Sequence, residues 1–206
     1  MKLTRGRALS LLVIFLLILD QVVKILVKTN MKIGESISVF GDWFQILFVE
    51  NEGMAFGMSW GPTTGKYILT TFRIVFSAVL LYYIWKLNKK KMKTGVLVGM
   101  TLVFTGAVGN IIDCLFYGQI FSASTLSTVA TAFPEGGGYA PLMLGKVVDM
   151  LYFPIINTTW PDWMPFWGGE RFVFFSPIFN IADSYVTIAV FYLLIFEHKA
   201  LKQWLK

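Results

Sequence analysis

The sequence predicts a mainly α-helical membrane protein, with four transmembrane helices, both termini cytoplasmic, a small extracytoplasmic β-sheet and an interfacial loop or helix segment. Three observations predict it. The 206-residue chain is 56% hydrophobic and 15% charged, where a soluble domain carries about 25% charged residues, and its mean hydropathy is +0.65. Four long apolar runs divide the chain, each near the roughly 20 residues that cross about 30 Å of hydrocarbon. Lys and Arg gather at alternate ends of those runs, as they do on the cytoplasmic side of a bilayer.

The first run, Ala8 to Val27, follows Lys2, Arg5 and Arg7. A basic head before an apolar body resembles a signal peptide, but no small-residue cleavage site follows, and the run is long enough to span; it is read as an uncleaved first helix. Residues 29–65 then form an extracytoplasmic β-rich connection: SISVFGDWFQILFVENEGMAFGMSW alternates aromatic and β-branched residues with turn formers, the pattern of a small sheet lying on the membrane. The second and third runs, Tyr67 to Leu87 and Gly95 to Tyr117, are joined by a short turn holding Lys86, Lys89, Lys90, Lys91 and Lys93. Residues 118–176 form the second outer connection. Its first part, SASTLSTVATAFPEGGGYAP, is broken by Gly and Pro into a loop. Its later part, with Trp160, Trp163 and Trp167, suits the headgroup region. The fourth run, Pro177 to Phe196, leads into Lys199, Lys202 and Lys206. The expectation is a single integral membrane domain over residues 1–206.

Composition also narrows the chemistry. The net charge of +6 does not describe a nucleic-acid binder, which would concentrate its cations on one polar face; here they sit at the ends of apolar runs. The single cysteine, Cys114, forbids an internal disulfide, and one Cys with one His, His198, argues against a zinc cage. No metal or cofactor is expected.

Ionisable residues inside spanning helices are costly and call for a partner or a function. Asp20 and Lys24 lie four apart and share a helix face, which favours a structural ion pair. Asn110 and Asp113 near the end of the third run, and Asn180 and Asp183 near the start of the fourth, form two N-x-x-D faces. With the third helix running outward and the fourth inward, both fall at a similar depth near the outer surface. A hydrogen-bonded patch fastening the helices together is one explanation. Asp149, in GKVVDMLYF, favours another, because an unpaired carboxylate in so apolar a stretch is expensive.

If Asp149 approaches Asp183, two carboxylates in a partly dry site share a proton. One can take a proton from water attacking a peptide carbonyl while the other, protonated, polarises that carbonyl. Which of the two carries the proton stays open. Other nucleophiles are weak: Ser184 has no neighbouring His, and the apolar setting of Cys114 disfavours its thiolate. The glycines of NEGMAFGMSWG lack the Lys and helix start of a phosphate loop and are read as turns near the helix mouth.

Five motifs stand in order along the chain: DQVVK from Asp20, NEGMAFG from Asn51, GNIID from Gly109, VVDM from Val147 and FNIADS from Phe179. In this the chain resembles the lipoprotein signal peptidase family, membrane aspartyl peptidases, over almost its whole length. The resemblance implies that Asp149 and Asp183 are the catalytic dyad, that Asn51, Gly53, Asn110, Asp113 and Asn180 shape the substrate site, and that Asp20 and Lys24 support the fold. It implies a bacterial inner-membrane location with the active site facing the periplasm. It further implies cleavage of diacylglyceryl-modified prolipoproteins before the lipidated Cys, contact with membrane lipids, and inhibition by globomycin-type cyclic peptides. A four-helix protein with its own site is expected to work as a monomer. Two departures stand out. Cys114 occupies a position where the family usually has Arg, with Arg171 or Lys146 as candidate substitutes, and the stretch from Cys114 to Val148 contains a long insertion. Competing readings are a transporter or proton-conducting bundle, and a noncatalytic lipid-binding protein.

Overall fold

The computed structural model describes residues 3–53 and 62–204. Its first helix, α1 (Arg5–Asn30), starts at Thr4, whose hydroxyl accepts the Arg7 N–H. The burial of α1 is inverted relative to a soluble helix. Asp20, Lys24 and Lys28 are fully buried, while Ile14, Phe15 and Ile18 are more than half exposed. Residues four apart share a face, so one polar stripe turns inward and the apolar remainder is left for lipid.

A hairpin follows, β1 (Ser36–Phe40) and β2 (Phe44–Asn51), then α2 (Pro62–Lys89) with Pro at its first position, where the missing N–H costs nothing. The glycine turns expected within 54–61, and Lys2 and Lys206, lie outside the described residues. Next come α3 (Thr94–Ile112), a π-helical turn (Asp113–Tyr117) and the short α4 (Gly118–Ile120). After the insertion, β3 (Val147–Tyr152) runs beside β2; a separate hairpin, β4 (Ile156–Thr159) and β5 (Arg171–Phe174), precedes β6 (Ile178–Phe179). The chain ends in α5 (Ile181–Phe196) and α6 (His198–Trp204), bent 79° from α5.

Among the described residues three helices are long and apolar enough to cross a membrane, and the bent α5–α6 pair makes a fourth if counted as one span. Two expectations are adjusted. The fourth apolar run begins at Pro177, yet Ile178–Phe179 pairs with Leu151 and Tyr152 of β3, so the helix starts only after Asn180. The aromatic stretch expected as an interfacial loop or helix is the β4–β5 hairpin, in which Ile156 faces Phe174 and Thr158 faces Phe172; β-branched and aromatic cross-strand pairs stabilise that form.

The four-stranded antiparallel sheet, in the order β1-β2-β3-β6, caps one end of the bundle. Its inner face buries Phe48, Val148 and Met150 against Val27 of α1, Met31 just after it, and Tyr117 and Phe121 at the end of the third span. The opposite end is tied by polar contacts: Arg5 donates to the Asn88 side chain and to the carbonyls of Asn88 and Met92 at 2.7–2.8 Å, and Lys93 meets Glu197 at 2.9 Å. Helix α3 is central, packing on α1, α2 and α5. At Gly106 a Cβ would overlap the backbone carbonyl of Ala182, so glycine lets α5 approach to backbone contact.

Candidate active site

The π-helical turn directs the chain into β3. Its widened register frees carbonyls: Cys114 O accepts the Gly145 N–H at 2.9 Å and Leu115 O accepts the Met143 N–H at 3.3 Å. A Cβ on Gly145 would overlap the Asp113 carbonyl, so glycine is required for the return from the insertion. Val147–Tyr152 then pairs with β2 in a register that sets Asp149 opposite Val49, with Asn51 one step along the same face.

The first turn of α5 is closed by a reciprocal capping box. The Asn180 side-chain oxygen accepts the Asp183 N–H at 2.9 Å, and Asp183 Oδ2 accepts the Asn180 N–H at 3.2 Å. Asn180 Nδ2 then donates to Asp149 Oδ1 at 2.7 Å and to Asn110 Oδ1 at 3.0 Å. Asn110 Nδ2 donates to Asp183 Oδ1 at 2.8 Å, and Asn51 Nδ2 donates to Asp149 Oδ2 at 3.1 Å.

Each of these amides is oriented by a group that can only donate. Lys24 Nζ lies 2.8 Å from Asn110 Oδ1, and an ammonium has no acceptor, so the Asn110 NH2 must face Asp183. The Asp183 N–H fixes Asn180 in the same way, and the Gly53 N–H, 2.7 Å from Asn51 Oδ1, fixes Asn51. All three side chains therefore present N–H groups to the two carboxylates.

Asp149 is 3% exposed. Burial pushes its carboxyl up to about 6 and the neighbouring Asp183 carboxylate adds to the rise, while the bonds from Asn51 and Asn180 pull it down. A carboxyl that titrates near 6 can hold or release a proton at physiological pH.

Beneath this pair lies a buried ionic network. Lys24 Nζ stands 3.0 Å from Asp20 and 2.8 Å from Asp113, all with fully buried side chains. Two carboxylates face one ammonium, and the excess negative charge is met by donors: Gln21 Nε2 to both aspartates, Val148 N–H to Asp113 Oδ2 at 3.3 Å, and Ala182 N–H to Asp20 Oδ1 at 2.9 Å. The last comes from the α5 N-terminus, whose dipole favours an anion. The network thus joins α1, α3, β3 and α5, the elements that carry the two site aspartates.

On its outer side Asp183 opens into an apolar groove of about 600 Å³ lined by Leu151, Phe153, Phe175, Phe179 and Ile188. The groove continues into stacked rings, with Phe44–Phe153 centroids 4.5 Å apart and Phe153–Phe179 5.8 Å apart.

The expected residues thus fall into two layers. Asn51, Asn110, Asn180, Asp149 and Asp183 form one connected cluster with Gly53 at its edge, where φ is +77°. Asp20, Lys24 and Asp113 form the buried layer below. Neither Arg171 nor Lys146 stands in for the Arg missing at Cys114. Arg171 donates to Asn157 across the β4–β5 hairpin at 3.0 Å, and Lys146 turns to Glu50 and Glu52. The guanidinium at that place belongs to Arg73 of α2: its Nη1 is 3.5 Å from Cys114 Sγ, and it packs against Gly53. Sequence reasoning misses Arg73 although it is an ionisable residue within an apolar run, the same signal that picks out Asp20 and Lys24. Gln21, which braces both aspartates and accepts the Tyr117 hydroxyl at 3.1 Å, carries no charge to flag it.

The sequence matches the family model described as Signal peptidase (SPase) II over residues 12–199. It is 48% identical to a lipoprotein signal peptidase of Porphyromonas gingivalis over 94% of this chain and 84% of that protein. It is 33% identical to a lipoprotein signal peptidase of Amoebophilus asiaticus over 90% and 75%. Among solved structures, a bacterial membrane enzyme determined by the in meso method at 1.9 Å resolution aligns with a TM-score of 0.58 at 28% identity, over 91% of this chain and 90% of that one. With the family model covering nearly the whole chain and relatives alike across most of their length, the protein belongs to the signal peptidase II family.

Proposed function

We propose that this protein is an aspartyl endopeptidase that removes signal peptides from diacylglyceryl-modified prolipoproteins, cleaving before the lipidated Cys, with Asp149 and Asp183 as the catalytic dyad. The observation that carries this reading is Asn180, whose side chain donates to the Asp149 carboxyl and whose backbone N–H donates to the Asp183 carboxyl, so that it holds two residues from distant parts of the chain at one site. Each carboxyl oxygen receives one N–H, leaving lone pairs free for a shared proton and an attacking water.

In the proposed reaction the ionised member takes a proton from water as it attacks the scissile carbonyl. The protonated member donates to the carbonyl oxygen, and a proton returned to the departing amine completes cleavage. Asn51, Asn110 and Asn180 hold the dyad, and Gly53 and Arg73 border the substrate path. Asp113, fully buried with both oxygens occupied, acts through β3 with Asp20 and Lys24 rather than on substrate. The groove beside Asp183 suits an acyl chain or the apolar signal peptide.

The basic residues Arg5, Arg7, Lys86, Lys89, Lys90, Lys91 and Lys93 lie at the bundle end opposite the sheet. That bias supports cytoplasmic termini and a sheet and dyad facing the periplasmic side of the bacterial inner membrane, within a single membrane domain acting as a monomer. Conduction through the bundle finds no support in the family match. The test is cleavage of a lipidated precursor peptide by purified protein. Asp149→Asn and Asp183→Asn are each expected to lower turnover about 10²- to 10⁴-fold, and globomycin to block the wild type; normal turnover by either variant rejects the assignment.

A further inference from the structure

A second cavity, of about 340 Å³, differs from the apolar groove in chemistry: Lys66, Lys146, Glu52, Thr63 and Tyr139 line it. Two elements that flank the dyad lead into it. Glu52 follows Asn51, which binds Asp149, and Lys146 immediately precedes β3. The insertion supplies the other wall through Tyr139, Ala140 and Leu144.

Its charges are incompletely matched. Lys66 is 5% exposed, lines the cavity, and has no hydrogen-bond or ion-pair partner among the described residues. Residues 54–61, which precede its helix, contain no Asp or Glu. Lys146 reaches Glu50 and Glu52 only at 3.8 and 3.9 Å, beyond hydrogen-bond distance, and Glu50 is already engaged by Lys28 and Ser124. Among the described residues, two ammonium groups line the cavity with Glu52 as its one uncommitted carboxylate, which leaves room for one more negative charge. With its side chain largely buried and no acceptor among the described residues, the Lys66 ammonium gains a charge-assisted bond from a ligand that brings an acceptor into the cavity.

We propose that this cavity binds a carboxylate side chain on the mature side of the precursor, with Lys66 and Lys146 as its specificity-determining residues; the proposal rests on the peptidase reading above. The apolar groove reaches Asp183, and the second cavity connects to Asp149 through Lys146 at the start of the same extended segment. The apolar groove suits the parts of the precursor that stay in the bilayer, and the polar cavity suits the part that leaves it. Lys146 is three residues from Asp149 along an extended segment, about 10 Å at 3.3 Å per residue, so the acidic residue is expected about two to four positions after the lipidated Cys. A phospholipid phosphate would need room for its acyl chains beside the cations, whereas the apolar groove shares no lining residue with this cavity.

The experiment compares two lipidated precursor peptides, identical except for Glu or Gln at those positions, on the full-length protein in nanodiscs of phosphatidylcholine. The Glu peptide is expected to show about tenfold higher kcat/KM, through KM, as befits a charge-assisted hydrogen bond. Lys66→Gln and Lys146→Gln should each reduce that preference and leave the Gln peptide unaffected, and Lys66→Arg should restore it. Because Lys66 is buried, Lys146→Glu gives an independent reading: it should reverse the preference toward a peptide bearing Lys. Equal kcat/KM for the Glu and Gln peptides on wild type overturns the proposal while leaving the peptidase reading intact. A Lys66 effect that depends on added phosphatidylglycerol rather than peptide charge also overturns it, in favour of a lipid headgroup. Cleavage of neither peptide rejects the peptidase reading; equal affinity of the two peptides in direct binding would then overturn the cavity assignment as well, and tighter binding of the Glu peptide would sustain it.

Discussion

Asn180 donates to Asp149 Oδ1 at 2.7 Å while its own side-chain oxygen caps the helix that carries Asp183. One residue therefore serves as helix cap and as the brace between two carboxyl groups. Substitution can separate those roles. Asn180→Ala removes both, and loss of the cap costs about 1 kcal/mol. Asn180→Asp keeps a good capping side chain but sets a third carboxylate against Asp149. The expected outcome is a lower thermal midpoint for Asn180→Ala, a midpoint closer to wild type for Asn180→Asp, and a loss of peptide turnover of at least about 10²-fold in both. Thermal unfolding in detergent and a cleavage assay on the same preparations check it.

Lys24 is the single cation between Asp20 and Asp113 among the described residues. Lys24→Met leaves two buried carboxylates facing each other, and breaking a buried pair in this way costs about 3–5 kcal/mol. The expected result is loss of folded protein in membrane extracts. Restoring neutrality with Asp20→Asn and Asp113→Asn in the same chain should recover much of the stability, since replacing a whole ionic group is far cheaper than orphaning part of it. Detergent-resistant folded yield and thermal midpoints of the single and triple variants measure the difference.

Asp149 titrates at about 6 in the folded protein instead of the ordinary 3.8. The unfolded chain loses this proton first as pH rises, so Asp149 subtracts stability progressively between about pH 4 and 6, after which its effect is level. The rise corresponds to about 3 kcal/mol, and an Asn at the position gives up about 1 kcal/mol in hydrogen bonding. Asp149→Asn is therefore expected to be inactive yet more stable than wild type by about 1–2 kcal/mol at pH 7, with the advantage gone near pH 4. Unfolding curves across that range decide it. In the active enzyme, Asn51→Ala removes a bond that favours the ionised form, so the alkaline limb of kcat/KM should move to higher pH.

Much of the fold is legible because lipid imposes it. Runs of about 20 apolar residues have few alternatives, and the i, i+4 spacing of Asp20 and Lys24 is enough to pair them. The two N-x-x-D faces can be placed at one depth for the same reason. Contacts made across long separations are less legible. The pairing of Asp149 with Val49 depends on β2 and β3 meeting after α2, α3 and the insertion, and no local pattern encodes that. The short β6 is hidden because Ile178 and Phe179 suit a strand and a spanning helix equally well; its pairing with β3 decides between them. The place left by Cys114 is filled from α2 by Arg73, a tertiary substitution that spacing along the third run does not reveal.

Gly106 tests how closely the dyad depends on helix contact. It sits on α3 where a Cβ would overlap the Ala182 carbonyl and crowd Val186, and Ala182 is the residue before Asp183. Alanine is the better helix former by about 1 kcal/mol, so propensity alone favours Gly106→Ala. The overlap is with backbone, which cannot rotate away, and overpacking of this kind costs about 1–3 kcal/mol. The steric effect is expected to win: α5 must shift outward, carrying Asp183 away from Asn110 and Asp149. Turnover should fall more than tenfold, because reacting groups tolerate displacements of much less than about 1 Å, while the thermal midpoint falls modestly. Gly136, where an added methyl group would meet open space and the backbone is not left-handed, supplies the control; Gly136→Ala should leave both measurements unchanged. If Gly106→Ala cleaves the lipidated peptide at the wild-type rate, the close contact of α3 with α5 does not set the position of Asp183.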